Sequence, residues 1–214
     1  MRKLKINILV AHLLEAKPLM KQFGLLKVFS EGDAPIPSLT QTYRNKDGMV
    51  LLVTGMGKSA MTQGVKALHR WQLESLEYEP ELATIWINIG IAGHRTARLG
   101  SGYLAHKIVD QETGDCCYPG MLIEGFETRE VCTVNEPETI YPRLVLYDME
   151  SAAFYRAASA YASSEFIQCF KIISDNLVTP VERFKSQNVF DLIANHGENI
   201  AKLFKLLLNL ADEF

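Results

Sequence analysis

Thr84-Ile85-Trp86-Ile87-Asn88-Ile89-Gly90-Ile91-Ala92-Gly93 is the most informative stretch of this chain. Residues 84–89 form a near-continuous apolar run of strand length, of the kind buried on both faces of a sheet. The glycines that follow predict a tight turn where the strand ends. Ile6–Ala11 and Phe166–Ile173 read the same way. Shorter strands are expected at Gln41–Arg44, Val50–Thr54, Gly100–Val109, Arg129–Val134 and Leu144–Tyr147. Helical spacing marks Glu15–Phe23, with Pro18 in its first turn and Gly24 as its stop, and also Ser59–Leu76. An Ala-rich helix runs through Ala162. In a last long element Val189, Ile193, Ile200, Phe204, Leu207 and Ala211 recur at helical spacing. Strands that alternate with helices predict an α/β sandwich with a mixed, largely parallel central sheet.

No internal repeat or low-complexity linker divides the 214 residues, so residues 1–214 are read as a single domain. Residues 110–142 are the least regular. A substrate-covering segment and a plain surface connection both fit them.

Hydrophobic residues make up 48% and charged residues 22%, as in an ordinary globular protein. The net charge of −3 argues against an extended nucleic-acid footprint, which needs clustered Lys and Arg. No apolar run is long enough to span a bilayer. A basic start at Arg2, Lys3 and Lys5 before an apolar run has the outline of a signal peptide. Asn7 and His12 interrupt that run, and Glu15 and Lys17 stand where a cleavage site is needed. A buried first strand and a cytoplasmic protein are the expectation. Cys116, Cys117, Cys132 and Cys169 form no CxxC pair and no zinc-ligand spacing, so no metal and no cofactor is implied.

Ligands of open α/β sheets collect beyond the carboxyl ends of the strands. Glu15, Gly55-Met56-Gly57-Lys58, Gly90-Ile91-Ala92-Gly93, Asp148-Met149-Glu150 and Ser174-Asp175 all fall at such ends. Each has a plain structural reading when taken singly. The glycine stretches match neither GxxxxGK[ST] nor GxGxxG and read as turns. Asp148 and Glu150 suit a helix N-terminus, Asp175 suits an N-cap, and Glu15 suits a solvated helix face. Only their convergence points to a site.

Taken together and in order, four stretches resemble the purine nucleoside phosphorylase and nucleosidase superfamily. They are Val53-Thr54-Gly55-Met56-Gly57-Lys58, Asn88-Ile89-Gly90-Ile91-Ala92-Gly93, Asp148-Met149-Glu150-Ser151-Ala152-Ala153 and Ile173-Ser174-Asp175. The resemblance is nearest to methylthioadenosine/S-adenosylhomocysteine nucleosidases and futalosine hydrolases. It implies a three-layer α/β/α sandwich of nucleoside phosphorylase-like fold that acts on a small nucleoside as a homodimer. It also implies that Asp175, beside Ser174, faces N7 of the base and activates it as a leaving group. Such an acid must hold a proton near neutral pH, which burial favours. Glu15 is implied to orient the attacking water, Glu150 to hold the ribose hydroxyls and Met149 to pack on the sugar. Met56, Ile91, Ala92, Gly93 and Ser174 would complete the substrate site.

Phosphorylases of this superfamily carry a glycine-and-arginine phosphate loop after the first strand. Here that place reads Val10-Ala11-His12-Leu13-Leu14-Glu15, which favours water over phosphate as the nucleophile. The chain departs from the family at Asp148, His94, Gly100-Ser101 and a shortened Cys132–Leu144 stretch, where Tyr141 competes with Tyr118 and Phe126 as a base-stacking aromatic. Two alternatives stand beside the hydrolase. One is a phosphorylase drawing cations from Lys58, Arg95 or Arg98. The other is a silent nucleoside-binding protein of the same fold.

Overall fold

The computed structural model of the chain describes residues 5–29, 33–74, 84–120, 123–180 and 186–212. Four strands pair in parallel at its centre: β1 (Lys5–Val10), β4 (Met49–Val53), β5 (Thr84–Gly93) and β10 (Ile167–Asp175). One edge is antiparallel, built by β3 (Thr42–Arg44) and β2 (Leu26–Lys27). On the other side β6 (Gly102–Asp110) runs antiparallel to β10 and parallel to β8 (Thr128–Thr133). β8 pairs with β9 (Leu146–Asp148), and β9 returns to β5 through Gly93 and Tyr147. The short β7 (Cys116–Cys117) flanks β6. Strands β5, β9, β8, β6 and β10 thus close a ring, so the sheet is open on one side only.

Alternation along the central strands builds the two helical layers. Ile85, Ile87 and Ile89 face a core shared with α1 (Leu13–Phe23), α4 (Ser186–Asn195) and α5 (Gly197–Asp212). Leu9, Trp86 and Ile173 face the opposite core, against α2 (Lys58–Glu74) and α3 (Ser151–Ala158). Each such aliphatic side chain contributes roughly 1.5–3 kcal/mol on burial. The three-layer α/β/α sandwich with a mixed sheet is therefore the observed fold, with its parallel pairing concentrated at the centre.

Several boundaries differ from the sequence expectation, each for a local reason. β5 does not end at Ile89, and no helix follows it. It continues through Gly93, with Gly90, Ile91 and Ala92 in register with Lys171, Ile172 and Ile173. The glycines give clearance inside a strand in place of a turn. α1 begins at Leu13, ahead of Glu15, because His12 and Glu15 form a capping box. The early start puts Pro18 beyond the first turn. The helix then stops at Gly24, which has φ +61°.

The expected end of the next helix at Leu76 lies outside the described residues. α3 stops at Ala158, short of Ala162. The last long element is two helices that part at His196. Gly197 permits the break to pack on α1: Gln22 Nε2 donates to its carbonyl at 2.7 Å, and a Cβ there would meet Gln22 Oε1 at 2.6 Å.

Candidate active site

The carboxyl ends of β1, β4, β5, β9 and β10 bring Glu15, Gly57, Ile91, Glu150 and Asp175 to one end of the sheet. The capping box that starts α1 turns Glu15 inward, where it is 4% exposed. Its Oε2 accepts from the Ala11 and His12 amides at 3.0 and 2.9 Å, and its Oε1 accepts from the Ile91 amide at 3.1 Å. Burial pushes its pKa up, against the pull of Lys171 and these three amides.

Lys171 sits in the middle of β10 and is 1% exposed. Its Nζ lies 2.9 Å from Asp148 Oδ2. Asp148 also accepts from Thr133 Oγ1 at 2.7 Å and from the Ser151 amide and hydroxyl at 2.8 and 2.7 Å. Burial alone would raise the Asp148 pKa, but Lys171 and these hydroxyls outweigh it and hold the carboxyl low. Burial alone would lower the Lys171 pKa. Asp148 and Glu150 outweigh it and push the ammonium up. Both the lysine and Glu15 press on Gly90, where a Cβ would meet Glu15 Oε1 at 3.0 Å and Lys171 Nζ at 3.4 Å.

Glu150 follows β9 and occupies the N-cap position of α3, but its side chain caps nothing there. Instead its Oε1 accepts from the Gly57 amide at 2.7 Å. Gly55 and Gly57 have φ of +91° and +89°, which turns that amide toward the carboxylate. Burial, then the Asp148 charge, raises the Glu150 pKa to about 7, with Lys171 and the amide opposing.

Asp175 is the last residue of β10 and is 6% exposed. It caps no described helix. Its Oδ1 accepts from Ser174 Oγ, which also donates to the Ala92 carbonyl at 3.3 Å. Its Oδ2 accepts from the Tyr141 hydroxyl. Tyr141 is 1% exposed and holds φ at +50°, a left-handed conformation that costs a bulky residue on the order of 1 kcal/mol. It packs edge-on to Tyr147, with ring centroids 5.8 Å apart, in a small cluster that includes Val134 and Met149. Gly93 makes this approach feasible, because a Cβ there would fall 2.6 Å from both Asp175 Oδ2 and Tyr141 Cε1.

Most of the residues singled out from sequence therefore meet in space: Glu15, Ile91, Ala92, Gly93, Glu150, Ser174 and Asp175, with Met149 beside them. Met56 lies on the Gly55–Gly57 loop but is 69% exposed. Among the aromatic candidates Tyr141 reaches Asp175. Tyr118 is 61% exposed, and Phe126 packs on Phe170 in the core. The His94 amide donates to the Asp175 carbonyl at 3.0 Å, and the His94 Nδ1 accepts from the Thr96 and Ala97 amides at 3.0 and 2.8 Å and shapes the loop after β5. Lys171 and Thr133 were not foreseen. A lone lysine in the apolar run Phe170-Lys171-Ile172-Ile173 was the available signal, since a charge in a buried strand requires partners. Among the described residues no cluster of His, Cys, Asp and Glu is arranged to hold a metal ion.

Fold and site together define an α/β sandwich of nucleoside phosphorylase-like fold with a carboxylate-lined site at the strand ends. Among solved structures the chain is similar to the 5′-methylthioadenosine nucleosidase of Arabidopsis thaliana in apo form, with 17% identity, 95% of this chain and 96% of that one covered and a TM-score of 0.76. It is also similar to the corresponding nucleosidase of Chlamydia trachomatis, at 19% identity, 95% and 98% coverage and a TM-score of 0.67. A methylthioadenosine/S-adenosylhomocysteine nucleosidase of Colwellia psychrerythraea in complex with adenine aligns at 16% identity, 91% and 95% coverage and a TM-score of 0.61. No family model and no curated protein matches the sequence.

Proposed function

We propose that this single-domain chain hydrolyses the N-glycosidic bond of a purine nucleoside of the methylthioadenosine/S-adenosylhomocysteine type. The observation that carries this reading is the convergence of Glu15 and Glu150 beside Lys171, with Asp175 at the end of the same strand, in a fold shared with nucleosidases. Asp175 donates a proton toward N7 of the base, and the C1′–N9 bond breaks with its electron pair passing to the base. The sugar passes through an oxocarbenium-like transition state. Carboxylates that outnumber the one ammonium buried among the described residues suit that positive charge. Water then attacks C1′ and gives its proton to Glu15, whose raised pKa suits an acceptor. Glu150 accepts hydrogen bonds from the ribose hydroxyls, and Met149 packs on the sugar. The products are free base and free sugar.

The phosphorylase alternative is disfavoured by where the donors point. The Ala11 and His12 amides, placed where an anion would sit after β1, are taken by Glu15. Lys58 is committed to Asp110 and Glu112 at 2.8 and 2.9 Å, and Arg95 and Arg98 are exposed side chains. The silent-binder alternative is disfavoured because Asp175, Glu15 and Glu150 are all retained.

Exposed Met56, Leu177 and Val178 are proposed to be covered in a homodimer, and the cell compartment is proposed to be the cytoplasm. The deciding assay measures base release from methylthioadenosine, S-adenosylhomocysteine, adenosine, inosine, futalosine and uridine, with and without phosphate. Release without phosphate is expected from the first two. Release only with phosphate would establish a phosphorylase.

A further inference from the structure

We propose that Tyr141 controls entry to the site: its phenol holds the place of the leaving base on Asp175 and must withdraw before a nucleoside can seat. This rests on the nucleosidase reading and adds to it a residue that sets substrate affinity.

Three observations carry it. The Tyr141 hydroxyl donates to Asp175 Oδ2 while Ser174 Oγ donates to Oδ1, so both oxygens already accept a hydrogen bond and neither presents a donor to a base nitrogen. The space freed by the missing side chain of Gly93 is filled by the same phenol, with Cε1 and the hydroxyl 2.6 and 3.0 Å from where a Cβ would stand. A planar base cannot occupy that volume together with the ring. Finally, Tyr141 is a buried anchor between the exposed Ile140 and Pro142 on the connection that Val134 and Val145 hold at its two ends. It lies between β8 and β9, near Ile140 and Leu144, which are 75% and 62% exposed. Its φ of +50° is a conformation that tyrosine rarely adopts, so withdrawal relieves backbone strain while it forfeits one hydrogen bond and some burial.

A ligand that binds only the withdrawn form pays for the fraction of molecules in that form, and its apparent affinity falls by the same factor. Removing the phenol hydroxyl removes the bond to Asp175 and enlarges that fraction. Tyr141→Phe keeps the ring in its cluster. Tyr141→Gly suits the left-handed backbone and empties the volume.

The test is steady-state cleavage of methylthioadenosine by wild type, Tyr141→Phe and Tyr141→Gly, with hydrogen exchange across residues 138–144 of the wild type with and without adenine. The expected result is a roughly tenfold rise in kcat/KM for Tyr141→Phe, through KM, as loss of one charge-assisted hydrogen bond allows. Faster exchange over residues 138–144 on adding adenine is also expected. A lowered kcat at unchanged KM would mean that Tyr141 stays on Asp175 during turnover, and the proposal falls. Cleavage by the variants no better than by the wild type overturns the gate and leaves the nucleosidase reading standing. Absence of cleavage in all three proteins removes both.

Discussion

Asp175→Asn keeps the size and most of the hydrogen bonding of the side chain but removes its capacity to transfer a proton. Turnover of methylthioadenosine should fall by about 10² or more, the usual scale for a positioned acid, while nucleoside binding measured by calorimetry stays close to wild type. Full activity would reject the assignment. Glu15→Gln tests the other half of the chemistry. It should slow hydrolysis strongly at unchanged substrate affinity, and hydrolysis at the wild-type rate would point to another nucleophile site. Glu150 allows a pH test. Its folded value of about 7 lies above the ordinary 4.5, so the folded chain binds more protons than the unfolded chain between those pH values. Its contribution to stability therefore falls as pH rises from about 4.5 to about 7, by on the order of 3 kcal/mol. Glu150→Gln should flatten that slope in denaturant titrations and be the more stable protein at pH 8. It should also lose discrimination between ribosides and 2′-deoxyribosides. An unaltered slope would mean that Glu150 titrates as an ordinary glutamate. At this scale the sequence was legible only through the convergence of polar residues at the strand ends, since each has a plain structural reading when taken singly. It was least legible where a side chain acts through space. Tyr141 could be named as an aromatic candidate, but nothing in its neighbours Ile140 and Pro142 indicates a bond to Asp175.

The glycines of β5 belong to the scale of the element. Read in sequence, Gly90 and Gly93 are turn residues, and the expected turn is the error. Neither has positive φ, Gly90 pairs in regular register and Gly93 sits at the register shift before Asp175, so conformational freedom is not why they are glycine. They are glycine because carboxylates and a phenol occupy the volume a side chain would need, and that reason is invisible until β1, β9 and β10 are packed alongside. Gly93→Ala should therefore act as a site mutation with little local strand cost. With a methyl group 2.6 Å from both Asp175 Oδ2 and Tyr141 Cε1, activity should drop about 10²-fold, the scale of an ångström misplacement, while circular dichroism stays native. Gly90→Ala, whose nearest contacts are 3.0 and 3.4 Å, should cost less. Equal losses in the two variants would break the link between clearance and function. The capping box of α1 shows the converse. His12 and Glu15 are adjacent enough in sequence to be read as a cap, but the structure spends Glu15 on the cap and on the site at once.

Over the whole molecule, alternation of strands and helices was enough to predict the layers, because burial on both faces leaves a direct mark on composition. Ring closure was not, since β9 and β5 meet at a single residue pair and β10 pairs on both its sides. Lys171 is where this closure becomes energetic. Placed on β10, it reaches Asp148 at the end of β9, which in turn takes hydrogen bonds from Thr133 on β8 and Ser151 on α3. One buried ammonium thus joins four elements. Replacing it strands a buried carboxylate, a loss of roughly 3–5 kcal/mol. For a chain of this size that corresponds to a fall in Tm of about 10 °C. Lys171→Met should show that loss near pH 8. The loss should shrink as pH falls below about 3.8, the ordinary value, because Asp148 is held lower than that by the lysine and that part of the stability disappears as the carboxyl is protonated. The double variant Lys171→Met, Asp148→Leu removes both charges and should recover much of the stability while remaining inactive. Failure of the double variant to recover would mean that the ammonium serves Glu15 and Glu150 more than Asp148, and that the ring is held by its strands alone.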